Sequence, residues 1–194
     1  DAPQVVNNSW TFGVPGCDLA FELDLEALSA SGILPIFAAG NFGPSASTSA
    51  SPANNPAAFA VGAVDNTGGM YSGSSRGPAG CGEPSGVFPE VVAPGVAIRT
   101  ADRFAAYATP TGTSLAAPHV AGVLALLLSA FPDVSVDQQR EALLQGVQDL
   151  GAPGPDNDFG AGRIDASAAY QWLISHGHKP QSRSLIVVTT TKDE

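Results

Sequence analysis

Ser114 stands in the run Gly112-Thr113-Ser114-Leu115-Ala116-Ala117-Pro118-His119-Val120-Ala121-Gly122, where a loop gives way to a long apolar segment. Thr113 and Ser114 are helix-starting residue types. Pro118 is expected in the first turn, where a missing amide hydrogen costs little because the first four are unpaired anyway. A serine so placed lies beside free amide hydrogens and the positive end of the helix dipole, which together stabilise an oxyanion forming next to its hydroxyl. The chemistry this suits is acyl transfer with Ser114 as nucleophile; the plainer role for such a serine is an N-cap.

Acyl transfer also needs a base, a group to orient that base, and donors for the oxyanion. Asn41 closes the run Ala38-Ala39-Gly40-Asn41 after an apolar stretch, and its side-chain amide is a donor of the right kind, although an asparagine there also serves as a turn residue. His119 lies five residues past Ser114, about 140° round the helix and about 7.5 Å along it, so it is read as a packing histidine and not as the base. His176-Gly177-His178 follows the last helical stretch and reads as a solvated helix end.

The serine run strongly resembles the serine segment of the subtilisin-like serine proteases, with Leu115 where many members have methionine. Ala38-Ala39-Gly40-Asn41 resembles the oxyanion segment of the same family. The resemblance implies Ser114 as nucleophile and backbone donor and Asn41 as side-chain donor. Asn7-Asn8-Ser9-Trp10 is similar to the substrate-lining strand of bacillopeptidase F-like members. By that resemblance Ser9, Trp10, Ala38, Ala39, Gly40 and Thr113 line the substrate cleft, with Ala38 to Gly40 forming a wall of the pocket for the residue before the scissile bond. One departure is that Thr11 and Phe12 precede Gly13, where relatives have glycine straight after the tryptophan, so an altered pocket rim is expected. Ser75-Arg76-Gly77-Pro78, Val92-Ala93-Pro94-Gly95 and Gly160-Ala161-Gly162-Arg163-Ile164-Asp165 match family landmarks that serve structure, and the likeness runs from about Val5 to Tyr170.

The family orders its triad Asp, His, Ser along the chain. Asp65-Asn66-Thr67-Gly68 and His176-Gly177 mimic the aspartate and histidine motifs, but both lie on the wrong side of the order. The true base and acid are therefore expected on a segment upstream of Asp1, a partner this chain lacks. What the resemblance implies is an α/β fold, a largely parallel sheet with helices on both faces and its N-terminal part missing. Residues 1–178 would form the C-terminal portion of the peptidase domain and 179–194 a tail, an edge strand or the start of a further domain. The implied activity is endopeptidase hydrolysis of peptide or protein substrates outside the cell, with the isolated piece inactive. No cofactor is expected; calcium is common in the family, but no dense carboxylate loop here would hold it. The alternative is a pseudoprotease or interaction module that holds a peptide without cutting it. A lipase-like hydrolase would need a Gly-x-Ser-x-Gly elbow, which Gly112 to Ala116 does not supply.

The rest of the composition agrees with one domain. The 194 residues are 44% hydrophobic, enough for a substantial core. Eighteen acidic against 8 basic residues give a net charge of −10, which argues against nucleic acid and against an anionic membrane surface as partners. Cys17 and Cys81 pair only if the protein is exported and the fold brings them together, which sequence alone leaves open. Leu115 to Phe131 is apolar almost all round and is read as a buried central helix, not a membrane span. The chain opens at Asp1 with no methionine or apolar leader and is expected to be cut from something longer.

These residues need elements to place them. Gln4 to Val6 reads as a buried strand that gives way to a polar loop at Asn7. Asp18 is expected to cap a helix to about Ala30, although Phe21 to Glu26 also alternates as a strand would. Ile33 to Ala39 and Phe59 to Val64 are further strands, the first two parallel, so that the loops holding Ser9 and Asn41 emerge at one edge. Gly43 to Pro56 reads as a loop without assignable chemistry. Val91 to Gly95 and Ile98 to Thr100 are short strands, and 103–109 a returning hairpin arm. Ser135 with Gln138 is a capping box for a helix to about Gln145, Gly160 to Gly162 is a turn, and Asp165 caps a helix to about Ser175. Ser184 to Thr191 is β-prone.

Overall fold

A computed structural model describes residues 3–82 and 86–181, so the β-prone stretch Ser184 to Thr191 lies outside the described residues. Its elements, in chain order, are β1 (Val6–Asn8), α1 (Glu22–Ala30), β2 (Pro35–Ala38), β3 (Phe59–Val64), β4 (Val91–Pro94), β5 (Thr100–Ala101), β6 (Tyr107–Ala108), α2 (Thr113–Ala130), α3 (Val136–Gln145), β7 (Val147–Gln148), β8 (Arg163–Ile164) and α4 (Ala166–Ser175). Six strands form one sheet in the order β1-β2-β3-β4-β8-β7. Within this sheet β1-β2-β3-β4-β8 pair in parallel and β7 pairs antiparallel to β8, while β5 and β6 make a separate antiparallel hairpin. This is the α/β, largely parallel sheet expected.

Both faces of the central strands are covered, which is why β2 and β3 read as unbroken apolar runs and not as alternating ones. Ile36, Phe59, Val61 and Ala63 pack with α2, α3 and α4 through Val120, Leu124, Leu127, Leu143 and Leu173. Phe37, Ala39, Ala58 and Ala60 point the other way, against Leu25 of α1 and Phe88. The capping box at Ser135 and Gln138 and the Asp165 cap, which accepts from the Ser167 and Ala168 amides, both form.

Several elements differ from expectation, each for a tertiary reason. β1 is Val6–Asn8 and not Gln4 to Val6, because its register against Pro35, Ile36 and Phe37 recruits Asn7 and Asn8 into the ladder. Asp18 does not cap α1: its carboxylate accepts the Ala20 amide at 2.9 Å in a preceding turn, and the helix begins at Glu22. The hairpin strand is Thr100–Ala101, where partner residues Tyr107 and Ala108 are available, and not Ile98 to Thr100. β7 and β8 are too short, at two residues each, to carry a period; β8 exists because β4 offers it an edge.

The segment 43–56 is more than a loop. Thr48 to Asn55 is buried throughout. Two of its polar side chains hold the stretch that follows Trp10: Asn54 Nδ2 donates to the Gly16 carbonyl at 2.9 Å, and the Asp18 amide donates to Ser51 Oγ at 2.7 Å. A disulfide between Cys17 and Cys81, with Cα atoms 5.1 Å apart, fastens the same stretch covalently. Hydrogen bonds made by Thr48, Ser49, Ser51 and Asn54 explain how so polar a segment can leave solvent, while Asn55 Nδ2 is buried without a partner.

α2 is central but not buried all round. Ala116, Ala117, Val120, Ala121, Leu124, Leu127 and Leu128 face the sheet. Pro118, His119, Gly122, Ala125, Leu126 and Ser129 form an exposed stripe, with Leu126 at 66% exposure. Its length and composition would let it cross a membrane, yet its buried face belongs to the core of the sheet.

Candidate active site

The parallel register sets β1 and β2 side by side, so the residues after each strand, Ser9 and Trp10 on one side and Gly40 and Asn41 on the other, emerge at the same carboxyl edge. The N-terminus of α2 meets them there. A cleft of 310 Å³ is lined by Ser9, Trp10, Thr11, Ala38, Gly40, Asn41, Phe42, Thr113 and Ser114. Six of the expected site residues thus share one cavity with Ser114. Ala39 does not line it: strand alternation turns its side chain to the opposite face, fully buried with Phe37 and Leu25.

Glycines allow this junction. Gly112, the N-cap of α2, has φ 154 and ψ 165, a backbone region open essentially to glycine. A Cβ there would stand 3.4 Å from the Asn41 side chain. Gly40, at φ 105, would bring a Cβ within 2.8 Å of Ser75 Oγ and against the Phe42 ring. With the turn set, the Thr113 amide donates to Asn41 Oδ1 at 3.0 Å and the Thr113 hydroxyl to the same oxygen at 3.2 Å. Thr113 Oγ1 in turn accepts the Gly40 amide at 3.2 Å. Because Oδ1 is fully engaged, Nδ2 is the part of the Asn41 amide left to donate into the cleft. The Ser114 amide, one of the first of α2, has no intrahelical partner. Two donors for an oxyanion are therefore available beside one hydroxyl.

Ser114 Oγ donates to the Ser9 carbonyl at 3.3 Å, and Ser9 Oγ donates to the Ser114 carbonyl at 2.9 Å. Nothing in the sequence pattern pointed to this pair, 105 residues apart. Pro118 lies beyond the first turn, inside α2, contrary to expectation.

Among the described residues no histidine is hydrogen-bonded to Ser114. His119 is exposed and not packed, because its position falls on the open stripe of α2; its Nδ1 lies 2.7 Å from the Leu115 carbonyl. His176 caps α4, stacked on Trp172 with centroids 4.0 Å apart, as a solvated helix end should be. Asp65 is engaged in its own turn, accepting from the Thr67 and Gly69 amides and the Thr67 hydroxyl, and those bonds hold its carboxyl below the usual range. Among the described residues no group of three or more His, Cys, Asp or Glu is placed to hold a metal ion.

Trp10 is 41% exposed at the cleft mouth and packs edge-on to Phe21 and Phe37 at 5.7 and 5.6 Å, with Phe12 at 6.1 Å. The Thr11-Phe12 departure therefore builds an aromatic rim.

The chain is 38% identical over 174 residues to bacillopeptidase F of Bacillus subtilis (strain 168), covering 85% of this chain and 12% of that protein. It is 37% identical over 169 residues to subtilisin DY of Bacillus licheniformis, covering 86% and 57%. With subtilisin-like protease SBT6.1 of Arabidopsis thaliana it shares 34% over 168 residues, covering 82% and 16%. The chain thus spans from about an eighth to just over half the length of these relatives. The model of the subtilase family matches residues 1–162, most of the chain, and the chain belongs to the subtilase family.

Proposed function

We propose that this chain is the nucleophile-bearing part of a serine endopeptidase that cleaves peptide bonds through an acyl-enzyme. The observation that carries the reading is the meeting of Ser114, the Asn41 amide and the α2 N-terminus in one cleft. Ser114 Oγ attacks the scissile carbonyl carbon and its proton passes to a base. The carbonyl oxygen, now negative, accepts from Asn41 Nδ2 and the Ser114 amide; as it re-forms the carbonyl the C–N bond breaks and the leaving amine takes the proton from the base, after which water, giving its proton to the same base, displaces Ser114 Oγ and releases the acid. The base and its orienting acid come from a segment upstream of Asp1. β1, at the edge of the sheet, and the exposed stripe of α2 offer that segment a strand partner and an apolar face. Work outside the cell is supported by the Cys17–Cys81 disulfide, since such bonds persist in oxidising compartments.

The test is labelling of Ser114 by a fluorophosphonate, with and without the upstream segment supplied as a separate polypeptide. Labelling is expected only with the segment, and not at all for Ser114→Ala. Rapid labelling of the chain alone would mean that the base lies within it. A second reading, a module that holds peptide without cutting it, is favoured by the Ser114 hydroxyl bonding, among the described residues, to the Ser9 carbonyl and to no histidine. It predicts peptide binding with no labelling even when the segment is present.

A further inference from the structure

Pro118 sits inside α2. In an α-helix the amide of residue 118 would donate to the carbonyl of residue 114, but proline has no amide hydrogen. The carbonyl left without its helical partner is therefore that of Ser114 itself. It is not left to solvent, since the Ser9 hydroxyl donates to it at 2.9 Å across 105 residues of sequence. Asn7 Nδ2 donates in turn to Ser9 Oγ at 3.0 Å, so that oxygen accepts one bond while it gives another.

We infer that Ser9 is a positioning residue whose hydroxyl takes the place of the missing Pro118 amide and holds the main chain of Ser114 against the cleft wall. The two bonds between these residues act on different torsions. Ser9 Oγ fixes the Ser114 carbonyl, and with it the ψ that aims the Cα–Cβ bond; the Ser9 carbonyl restrains the Ser114 hydroxyl. The second must break whenever Ser114 reacts, whereas the first is untouched by any chemistry at Oγ. A helix with an ordinary residue at 118 would close its own ladder and would not need the Ser9 hydroxyl to satisfy the Ser114 carbonyl. With proline there, the orientation of the serine is set by Ser9, the residue that follows β1. In its effect on rate this inference rests on the peptidase reading; the hydrogen-bond exchange itself does not.

The experiment is a double-mutant cycle in Ser9→Ala and Pro118→Ala, with Ser9→Thr as the variant that keeps the hydroxyl. The first readout is the Ser114 carbonyl signal in chain labelled with carbonyl-¹³C serine and ¹⁵N leucine, where only the Ser–Leu pairs 114–115 and 184–185 give signals. Magic-angle-spinning NMR tolerates self-association of the chain. Ser9→Ala should move the 114 signal upfield, Ser9→Thr should keep it in place, and Pro118→Ala should return it in the Ser9→Ala background by supplying an amide. A signal indifferent to Ser9→Ala, or displaced equally with and without Pro118→Ala, overturns the inference. The second readout is fluorophosphonate labelling and peptide hydrolysis with the base-bearing segment present. Ser9→Ala should slow labelling and kcat about fivefold with KM within about twofold, the size expected for one net hydrogen bond, and should do nothing further once Pro118→Ala is in place. Unchanged rates despite the carbonyl shift would overturn the positioning role. A protein that shows the carbonyl pattern but never labels, even unmutated, would sink the peptidase reading and leave the Ser9 hydrogen bond standing.

Discussion

Asn41 and Thr113 are joined by two hydrogen bonds to a single oxygen, the Thr113 amide at 3.0 Å and its hydroxyl at 3.2 Å, both given to Asn41 Oδ1. This assigns separate duties to the two ends of one side chain: the oxygen positions, the nitrogen donates. Asn41→Asp keeps the acceptor and removes the donor. It is expected to lower kcat by about 10²–10³ with little change in KM, because the lost bond acts on charge that develops in the transition state. That magnitude is carried over from a subtilisin, a relative of this chain. Steady-state kinetics of the protein paired with its base-bearing segment checks it, and a change confined to KM would count against a donor role.

Glu90 and Arg140 clamp the start of β3 from the opposite end of the sheet. Arg140 donates to Glu90 at 3.2 Å and to the Ala58 carbonyl at 2.7 Å, and Glu90 accepts the Ala60 amide at 2.8 Å. Burial pushes the Glu90 carboxyl above its ordinary 4.5, with Arg140 and the Ala60 amide pulling the other way. The folded state therefore binds this proton more readily than the unfolded chain does. The stabilisation from that proton is present below pH 4.5 and is lost as pH rises through the higher folded value. Denaturant titrations over that range should show Glu90→Gln with a flatter pH dependence than the unmutated chain. Arg140→Ala should cost about 2 kcal/mol at pH 7 through lost charge-assisted bonds and should make the decline steeper.

Opening the Cys17–Cys81 link releases a closure of 64 residues, worth about 4 kcal/mol in the chain-entropy account. Cys17→Ser with Cys81→Ser should lower the denaturant midpoint accordingly. Trp10 fluorescence should change as well, because the stretch behind the aromatic rim would rest on its hydrogen bonds to the 49–54 hub alone. An unaltered midpoint would show that this hub suffices.

Leu126, 66% exposed on the open stripe of α2, lies on the face proposed to receive the upstream segment. The chain alone should self-associate through this face and the β1 edge. Leu126→Glu should shift light scattering toward monomer while changing stability by no more than about 0.5 kcal/mol, as surface substitutions do. A chain that is monodisperse without the substitution would contradict this.

What the sequence determined by itself was whatever depends on neighbours along the chain. The Ser135–Gln138 box and the Asp165 cap are local hydrogen bonds between residues three apart or closer. β2 and β3 announce themselves as unbroken apolar runs, and the strings around Ser114 and Asn41 carry their family with them. Tertiary structure decided whatever depends on partners far away. Asp18 has the chemistry of a cap but found its turn four residues early. Ala39 faces away from the cleft because a pleated strand alternates, and β7 and β8 exist only because β4 presents an edge. Ser9 meets Ser114 across 105 residues, and Cys17 meets Cys81 across 64. No propensity records such pairs, since the free energy that selects them comes from packing the whole sheet and from satisfying polar groups, such as the Ser114 carbonyl, that local structure leaves without a partner.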